Sequence, residues 1–543
     1  MRVAELFVRC LENEGVRYVF GIPGEETEDL LFALEASSIR FIPTRHEQGA
    51  AFMADVWGRL TGKAGVCLST LGPGATNLLT GVADANLDKS PVVAITGQAG
   101  LGRLHKESHQ HLDIVDMFRP VTKWNTAVTH ADAVPEIVRK AFKIAEREKP
   151  GATHIELSDD MAAREVSGEP LPAIPVRRPG PDPEALARAM EAMARARRVL
   201  ILAGNGAVRT RASGALRALV EQCDIPVVHT FMGQGAVSDR NSQSLLTMGL
   251  PFRDLVMDAV EAADLILAVG YDLAEYPPKA WRGGLTAPIV HVDFTPAEVD
   301  THYQPVVEVV GDISSSLAAL RSALAEAGCA WQRGWAQPVR ERILADLASY
   351  ELEDGAAWTI PGALRVMREV MRDEDLLISD VGTHKLWIAR NFPVYQPNGC
   401  LISNGLASMG IALPGGIAAA LQDPARRIVA AMGDGGFLMN AQELETAVRL
   451  GAGFVIVVFN DGEYGQIAWK QWMGRGRATG TRIGNPDIAA FAKSFGIPAH
   501  RPSTVGEFRT VLERSLDSRT LTVVELPVDQ RALYELSARM QEG

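Results

Sequence analysis

Cysteine is scarce and never paired. The five cysteines, Cys10, Cys67, Cys223, Cys329 and Cys400, are scattered, with no CxxC and no framework spacing. That excludes a disulfide-stapled scaffold or a cysteine-rich zinc module, and suits reduced thiols in the cytoplasm. Long apolar runs are also missing. The most apolar stretches, such as Phe454 to Phe459, are strand-sized, and Arg2, Glu5 and Arg9 stand where a leader peptide needs an apolar segment. No membrane role is expected. Net positive charge is absent as well: the formal balance is -12 at pH 7, which argues against a protein that tracks nucleic-acid phosphates. What is present is ordinary for a soluble globular chain, 47% hydrophobic and 22% charged residues. At 543 residues the chain exceeds one hydrophobic core, and three domains is the working count.

The first residues read as an amphipathic helix, with Val3, Leu6, Phe7, Cys10 and Leu11 on one face and Gly15 closing it. Short apolar strands follow at Tyr18 to Phe20, Ala64 to Leu68, Val92 to Thr96 and His154 to Leu157, separated by helix-length segments. This is the pattern of a parallel sheet covered by helices. Six prolines between Glu165 and Pro183 mark an extended linker. A second run has strands at Val199 to Leu202, Leu265 to Val269 and Ile289 to Val292, and fades near Gly328. A third begins at Ile360, with strands at Leu376 to Ser379, Ile428 to Ala431, Phe454 to Phe459 and Thr522 to Leu526. The expected class is α/β, three doubly wound parallel-sheet domains, divided as 1–165, a linker 166–183, a central domain 184–330, a connector 331–358 and a last domain 359–543. No short-period repeat is visible.

Two turns stand out. Gly433-Asp434-Gly435-Gly436 follows one predicted strand, and Asn460-Asp461-Gly462 follows another, with 24 residues between Gly435 and Asn460. That length fits one helix and one returning strand, so both turns can share one sheet edge. Glycines let backbone approach a diphosphate, and Asp434, the Asn460 oxygen and a backbone carbonyl are the hard oxygen ligands Mg²⁺ prefers. Alone, such a turn is more often an N-capping Asp at a helix start. Arg45-His46-Glu47-Gln48-Gly49-Ala50 opens a helix after the strand Phe41 to Pro43, where an acid also suits the helix dipole.

The GDG and Asn-x-Gly pair resembles the motif of thiamin diphosphate-dependent enzymes. Phe20 to Gly24 (FGIPG), Arg45 to Ala50 (RHEQGA), Gly72 to Asn77 (GPGATN), Gly270 to Tyr276 (GYDLAEY), Ser403 to Pro414 (SNGLASMGIALP) and Glu443 to Leu450 (ELETAVRL) extend the resemblance over nearly the whole chain. They match the acetolactate synthase branch, and most closely its catabolic, flavin-independent members.

The resemblance implies an N-terminal pyrimidine-binding domain, a central domain without cofactor contact and a C-terminal diphosphate-binding domain. It places Mg²⁺ on Asp434, Asn460 and the carbonyl of Gly462, and gives Glu47 the part of the acid that hydrogen-bonds N1′ of the aminopyrimidine and promotes its imino tautomer. Cofactor contacts would come from Pro23, Gly24, Asn77, His384, Asn404, Ala407, Met409, Gly433, Gly435, Gly436 and Tyr464, with Met409 under the cofactor. Gln110 would act beside Glu47. Gly24, Pro73, His109, Gln110, Arg253 and Gln466 would face the substrate. FAD, held by the central domain of some relatives, is not expected, because GYDLAEY looks like the flavin-free group.

The implied reaction is decarboxylation of a 2-oxo acid, pyruvate first, and ligation to a second 2-oxo acid. The implied assembly is a homodimer or homotetramer with no required regulatory small subunit. The spacings of His105, His109, His111 and Asp113 match no zinc pattern. Asp159, Gln466 and Glu25-Glu26 depart from the branch toward greater polarity, and Phe459 replaces a common Asn. Another donor or acceptor is the alternative these departures leave open.

Overall fold

In the computed structural model, which describes residues 1–328, 331–352 and 357–542, the apolar runs become the inner strands of three six-stranded parallel sheets. Cys329 lies outside the described residues. Gly65–Ser69, Val92–Gln98, Ala152–Ser158, Val199–Ala203 and Leu265–Val269 are buried along their whole length. Helices cover both faces of each sheet, so these strands read as unbroken apolar runs and not as alternations. The α/β, doubly wound class is the one observed.

Six strands were not legible in the sequence: Trp124–Ala127, Val227–His229, Ser244–Thr247, Val307–Val310, Cys400–Ile402 and Ala499–His500. All but Val227–His229 lie at a sheet edge, where a strand pairs on one side only. The stretch read as a connector holds the helix Gln337–Ala348. Its Arg340 donates to the carbonyl of Asp239 at 2.9 Å and to that of Ser244, tying it to the central sheet.

The first and third sheets share one topology. In both, the spatial order is second, first, third, fourth, sixth, fifth strand. Connections therefore reverse between Tyr18–Gly21 and Gly65–Ser69 in one, and between Leu376–Ser379 and Ile428–Gly433 in the other. Such reversals leave a crevice at the carboxyl ends of the strands, where ligands bind in open α/β sheets. The central sheet instead runs third, second, first, fourth, fifth, sixth, the order of dinucleotide-binding folds.

Helix Glu47–Thr61 of the first unit packs on Ala412–Gln422 of the third, and one continuous apolar core spans both. A Cβ on Gly415 would lie 2.9 Å from Val56, so the helices need glycine at their crossing. Beside this contact, Arg59 is enclosed by three carboxylates. It donates to Asp55 at 2.8 Å, to Asp88 at 2.7 Å and to Asp84 at 3.2 Å, and to the carbonyl of Ile402 at 3.1 Å. Burial opposes its charge, but Asp55, Asp88 and Asp84 outweigh burial and hold the guanidinium protonated. The acids reach on into the third unit. Asp84 accepts from the Ser403 hydroxyl at 2.8 Å and Ser408 N–H at 3.3 Å, and Asp88 from the N–H groups of Asn404 and Gly405.

Arg59→Met should therefore leave three buried carboxylates without their cation. We expect a loss of about 3–5 kcal/mol in urea unfolding, with faster hydrogen exchange at the amides of Asn404, Gly405 and Ser408. An unchanged midpoint would remove this cluster from its structural role.

Candidate functional site

The strands Ile428–Gly433 and Val455–Asn460 are parallel neighbours, with Gly433 in register with Phe459. Their two turns therefore leave the sheet side by side. Gly433 caps the helix Asp434–Asn440, so Asp434 is its first residue and not the capping residue. One oxygen of Asp434 accepts from Gly435 N–H at 2.8 Å. The other accepts from Gly462 N–H at 2.8 Å and from the Asn485 amide at 2.6 Å. The same Asn485 nitrogen donates to Asn460 Oδ1 at 2.9 Å. Asn460 Nδ2 donates to the buried carboxylate of Glu525 at 2.8 Å, which fixes the amide with its oxygen toward Asp434. Asn485 Oδ1 is itself buried, with no partner among the described residues. Gly462, at φ +66, turns the chain here, and its carbonyl accepts from Ile483 at 2.9 Å, leaving a second lone pair. Hard oxygens converging on one amide, beside a buried acceptor with no partner, form a donor set that Mg²⁺ fits.

Next to it lies a cavity of about 270 Å³. His384, Ala407, Met409, Asp434, Tyr464 and Gln466 are among its walls. A Cβ on Gly435 would stand 3.0 Å from the Tyr464 ring and 3.2 Å from Met409, so these side chains close on bare backbone. Burial drives His384 down to about 3, leaving a neutral ring whose Nε2 is buried at the cavity wall with no partner among the described residues. Burial, with the neighbouring Asp434 second, pushes Asp461 up to about 6. Ala407 holds φ 58, a left-handed conformation costly for alanine.

Glu47 does not line this cavity. It starts the helix Glu47–Thr61, buried, behind the capping residue His46, and the carboxylate of Glu443 accepts the N–H groups of Arg45 and His46 at 3.0 Å each. Asn77 donates to Glu47 at 3.0 Å, and a Cβ on Gly74 would lie 3.1 Å from the same carboxylate. Thr70 packs on Gly24, and Pro73 begins the helix Pro73–Leu87. Gly72, at φ +51, sits under the carbonyl of Gln110, itself at φ 56. Glu47, Asn77, Gly24, Pro73 and Gln110 thus gather at the crevice of the first sheet, and the Asp434 group at that of the third; Pro23 follows the strand Tyr18–Gly21, and the His109 carbonyl accepts from Arg103 at 3.3 Å. Within one chain the cavity contains only the second set. Asn404 is engaged by Lys385 at 3.0 Å and by the carbonyl of Glu275. Arg253 is not brought to either crevice: Asp258 and Glu261 take its guanidinium at the surface, at 2.5 and 2.9 Å.

Comparison with known proteins gives the same arrangement a name. Residues 1–117 match the thiamine pyrophosphate enzyme N-terminal TPP binding domain, 186–320 the central domain and 380–526 the C-terminal TPP binding domain. The chain is 36% identical to an acetolactate synthase of Bacillus subtilis (strain 168), over 97% of this chain and 93% of that one. It is 36% identical to a catabolic acetolactate synthase of Raoultella terrigena, over 97% and 95%. It is 32% identical to chloroplastic acetolactate synthase 1 of Nicotiana tabacum, over 95% and 80%.

The chain belongs to the thiamine pyrophosphate enzymes, among their acetolactate synthase-like members.

The central domain of this thiamine pyrophosphate enzyme has its own crevice, between Val199–Ala203 and Leu265–Val269. There the N–H of Asn205 is taken by both oxygens of Glu275 at 3.0 Å, and Thr230 donates to the same carboxylate. A Cβ on Gly206 would fall 2.5 Å from Gly270, so the two turns touch. Sequence reasoning missed Asn485 and Glu525, which stand in no motif that signals a ligand, and gave no role to Glu443, although it opens the ELETAVRL segment.

Asp380 ties the third crevice together, accepting from Gly410 at 2.9 Å, Ala412 at 3.2 Å and Val381 at 2.7 Å. A Cβ on Gly436 would lie 2.7 Å from its carboxylate. Gly436→Ala should displace Asp380 and loosen the backbone under Met409, weakening thiamin diphosphate binding about ten-fold or more. Fluorescence titration with the cofactor checks this, and wild-type affinity would contradict it.

Proposed function

We propose that this enzyme, with thiamin diphosphate and Mg²⁺, decarboxylates pyruvate and joins the two-carbon unit to a second pyruvate, giving 2-acetolactate with loss of one CO₂. Kinship with acetolactate synthases along nearly the full length carries this reading. Bound thiamin diphosphate supplies the electron sink for decarboxylation. The protein's part is orientation and proton placement. Asp434, Asn460 and the Gly462 carbonyl would hold Mg²⁺, with Asn485 and Glu525 aiming the two side chains. His384, neutral and with a free ring nitrogen, would face the diphosphate. Met409 would support the cofactor from below, and Glu47, fixed by Asn77, would hold a proton at N1′ of the aminopyrimidine. Gln110 would meet the substrate.

The two residue sets occupy separate crevices in one chain, which supports a homodimer or homotetramer in which a second copy brings Glu47 to the Asp434 cavity. FAD is not part of this reading, because Glu275 fills the glycine turn where a dinucleotide's diphosphate would lie. Among the described residues no helix is long and apolar enough to cross a membrane, which is compatible with a cytoplasmic enzyme. Two observations favour a different donor or acceptor as the second reading: Gln466 lines the cavity, and Glu26 accepts from Thr70 at 2.7 Å beside Gly24.

Incubation with Mg²⁺, thiamin diphosphate and single or paired 2-oxo acids and aldehydes, read by mass spectrometry, tests the assignment. We expect 2-acetolactate from pyruvate alone. Acetaldehyde alone would mean a decarboxylase, and a mixed product with pyruvate inert would mean a different acceptor.

Sharing of sites has its own test. Glu47→Ala and Asp434→Ala chains, each inactive, should regain activity on co-expression. A fully active monomer would reject the shared site.

A further inference from the structure

The loop between Gln98 and the helix Ile114–Phe118 carries Gln110, and it is held from beneath by a buried relay. Gln98 ends the strand Val92–Gln98, and Glu156 lies on the adjacent strand Ala152–Ser158, both buried. The Gln98 amide donates to Glu156 Oε2 at 3.0 Å and to the carbonyl of Leu112 at 3.0 Å. Its oxygen accepts from Ala99 N–H at 2.9 Å and faces His111 Nδ1 at 3.5 Å. An amide has one donor end and one acceptor end. A carboxylate at Glu156 takes the donor end, so the acceptor end must face His111. That favours the His111 tautomer with the proton on Nδ1 and leaves Nε2 bare. It also keeps a donor under Leu112, two residues from Gln110.

We propose that Glu156 is a positioning residue for the Gln110 loop, acting through Gln98 to fix the His111 ring and the backbone at Leu112, and that its ionisation sets how firmly the loop is held. The roles of Glu156, Gln98 and His111 extend the pyruvate reading above and rest on it where substrate is concerned.

Burial pushes Glu156 up to about 7, with Asp113 adding to the effect and the Gln98 hydrogen bond opposing it. Around it, Asp113 caps the helix Ile114–Phe118 and His111 stands across Gln98. His154 lies two residues earlier on its own strand, bonded to Thr96 at 2.8 Å and stacked on Phe118. The strand Trp124–Ala127 brings Ala127, without charge, to the level of Glu156. Ionised, Glu156 makes a charge-assisted bond to Gln98. Protonated, it is a weaker acceptor and itself offers a proton, so the amide is free to turn. The loop is therefore held above about 7 and released as the pH falls through that value.

Three forms of the holoenzyme test this: wild type, Glu156→Gln and Gln98→Met. In wild type, KM for pyruvate should rise about five-fold as pH falls from 8 to 6, the effect of losing one hydrogen bond of about 1 kcal/mol. Both variants should show the raised KM at pH 8 and no further rise at pH 6, with the kcat change smaller than the KM change. Glu156→Asp should restore part of the pH dependence. Independently of substrate, ¹⁵N spectra of histidine-labelled enzyme should show His111 protonated on Nδ1 in wild type at pH 8 and a mixture of tautomers in Glu156→Gln. A wild-type pH dependence of KM in either variant overturns the proposal, as does an unchanged His111 tautomer. If pyruvate is not the substrate, the ring-nitrogen result still decides. Should Glu156→Gln fail to fold, Gln98→Met reads the same link.

Discussion

One buried guanidinium fixes how the two cofactor domains meet. Arg59 stands among Asp55, Asp84 and Asp88 and supplies the cation these buried acids share, while burial and the two other acids push Asp84 well up. The consequence appears in the other domain. The outer oxygens of Asp84 and Asp88 take up the backbone and hydroxyl of Ser403, Asn404, Gly405 and Ser408. This segment leads into Ala407, at φ 58, and Met409 at the cavity wall. A left-handed alanine persists only where its neighbours over-determine it. Here the constraint comes from acids more than 300 residues earlier in the chain. Lys385 adds to the hold from within its own domain, through the Ser403 carbonyl and Asn404, although burial brings it down to about 8.

The same device recurs on a smaller scale. Carboxylates are placed behind amides and backbone turns, and each sets the direction of a group that faces a crevice. Glu525 turns the Asn460 amide, Asp380 holds Gly410 and Ala412, Glu443 holds Arg45 and His46 ahead of Glu47, and Glu156 turns Gln98. In low dielectric such bonds are strong, and leaving either end unpaired is costly, so each acid specifies one orientation of its partner. The crevices are therefore organised from behind, by residues that need not touch a ligand.

That arrangement explains what the sequence could and could not reveal. Asp434, Asn460 and Glu47 were legible because each sits in a turn whose chemistry is local: glycines, a strand end and a helix start within a few residues. Asn485 and Glu525 were not, because their partner Asn460 lies 25 and 65 residues away and nothing near them in sequence differs from a loop or a strand interior. Arg59 reads as an ordinary helical arginine until Asp84 and Asp88 arrive from the next helix. Inner strands announced themselves as unbroken apolar runs. Edge strands such as Trp124–Ala127 did not, since half-buried positions carry polar residues. The shared strand order of the first and third sheets was equally invisible, being a property of connections and not of residues. Arg253 is the converse case: nothing in its own segment announces that Asp258 and Glu261, at i+5 and i+8, take its guanidinium at the surface.

The central domain separates scaffold from site most clearly. Its sheet has the strand order of dinucleotide-binding folds, its reversal lies in the expected place, and a glycine-rich turn opens a helix there. By fold alone this would be a nucleotide site. Yet the N–H groups at such a turn can satisfy one anion, and the Glu275 carboxylate is already bonded to Asn205 and Thr230. Burial and the nearby Asp272 push Glu275 up to about 7, so the protein tolerates an acid close to neutrality in order to close the turn from within. Arg209 beside it is paired through Nε with Glu148 and through Nη1 with Asp272. An anion arriving from solvent would have to displace covalently tethered carboxylates whose effective concentration is far above its own. What remains is a six-stranded body whose Asn205 side chain bonds the carbonyl of Asp88 at 3.1 Å and whose Glu275 carbonyl receives Asn404. The central crevice thus braces the junction that Arg59 organises, through contacts to both neighbouring domains.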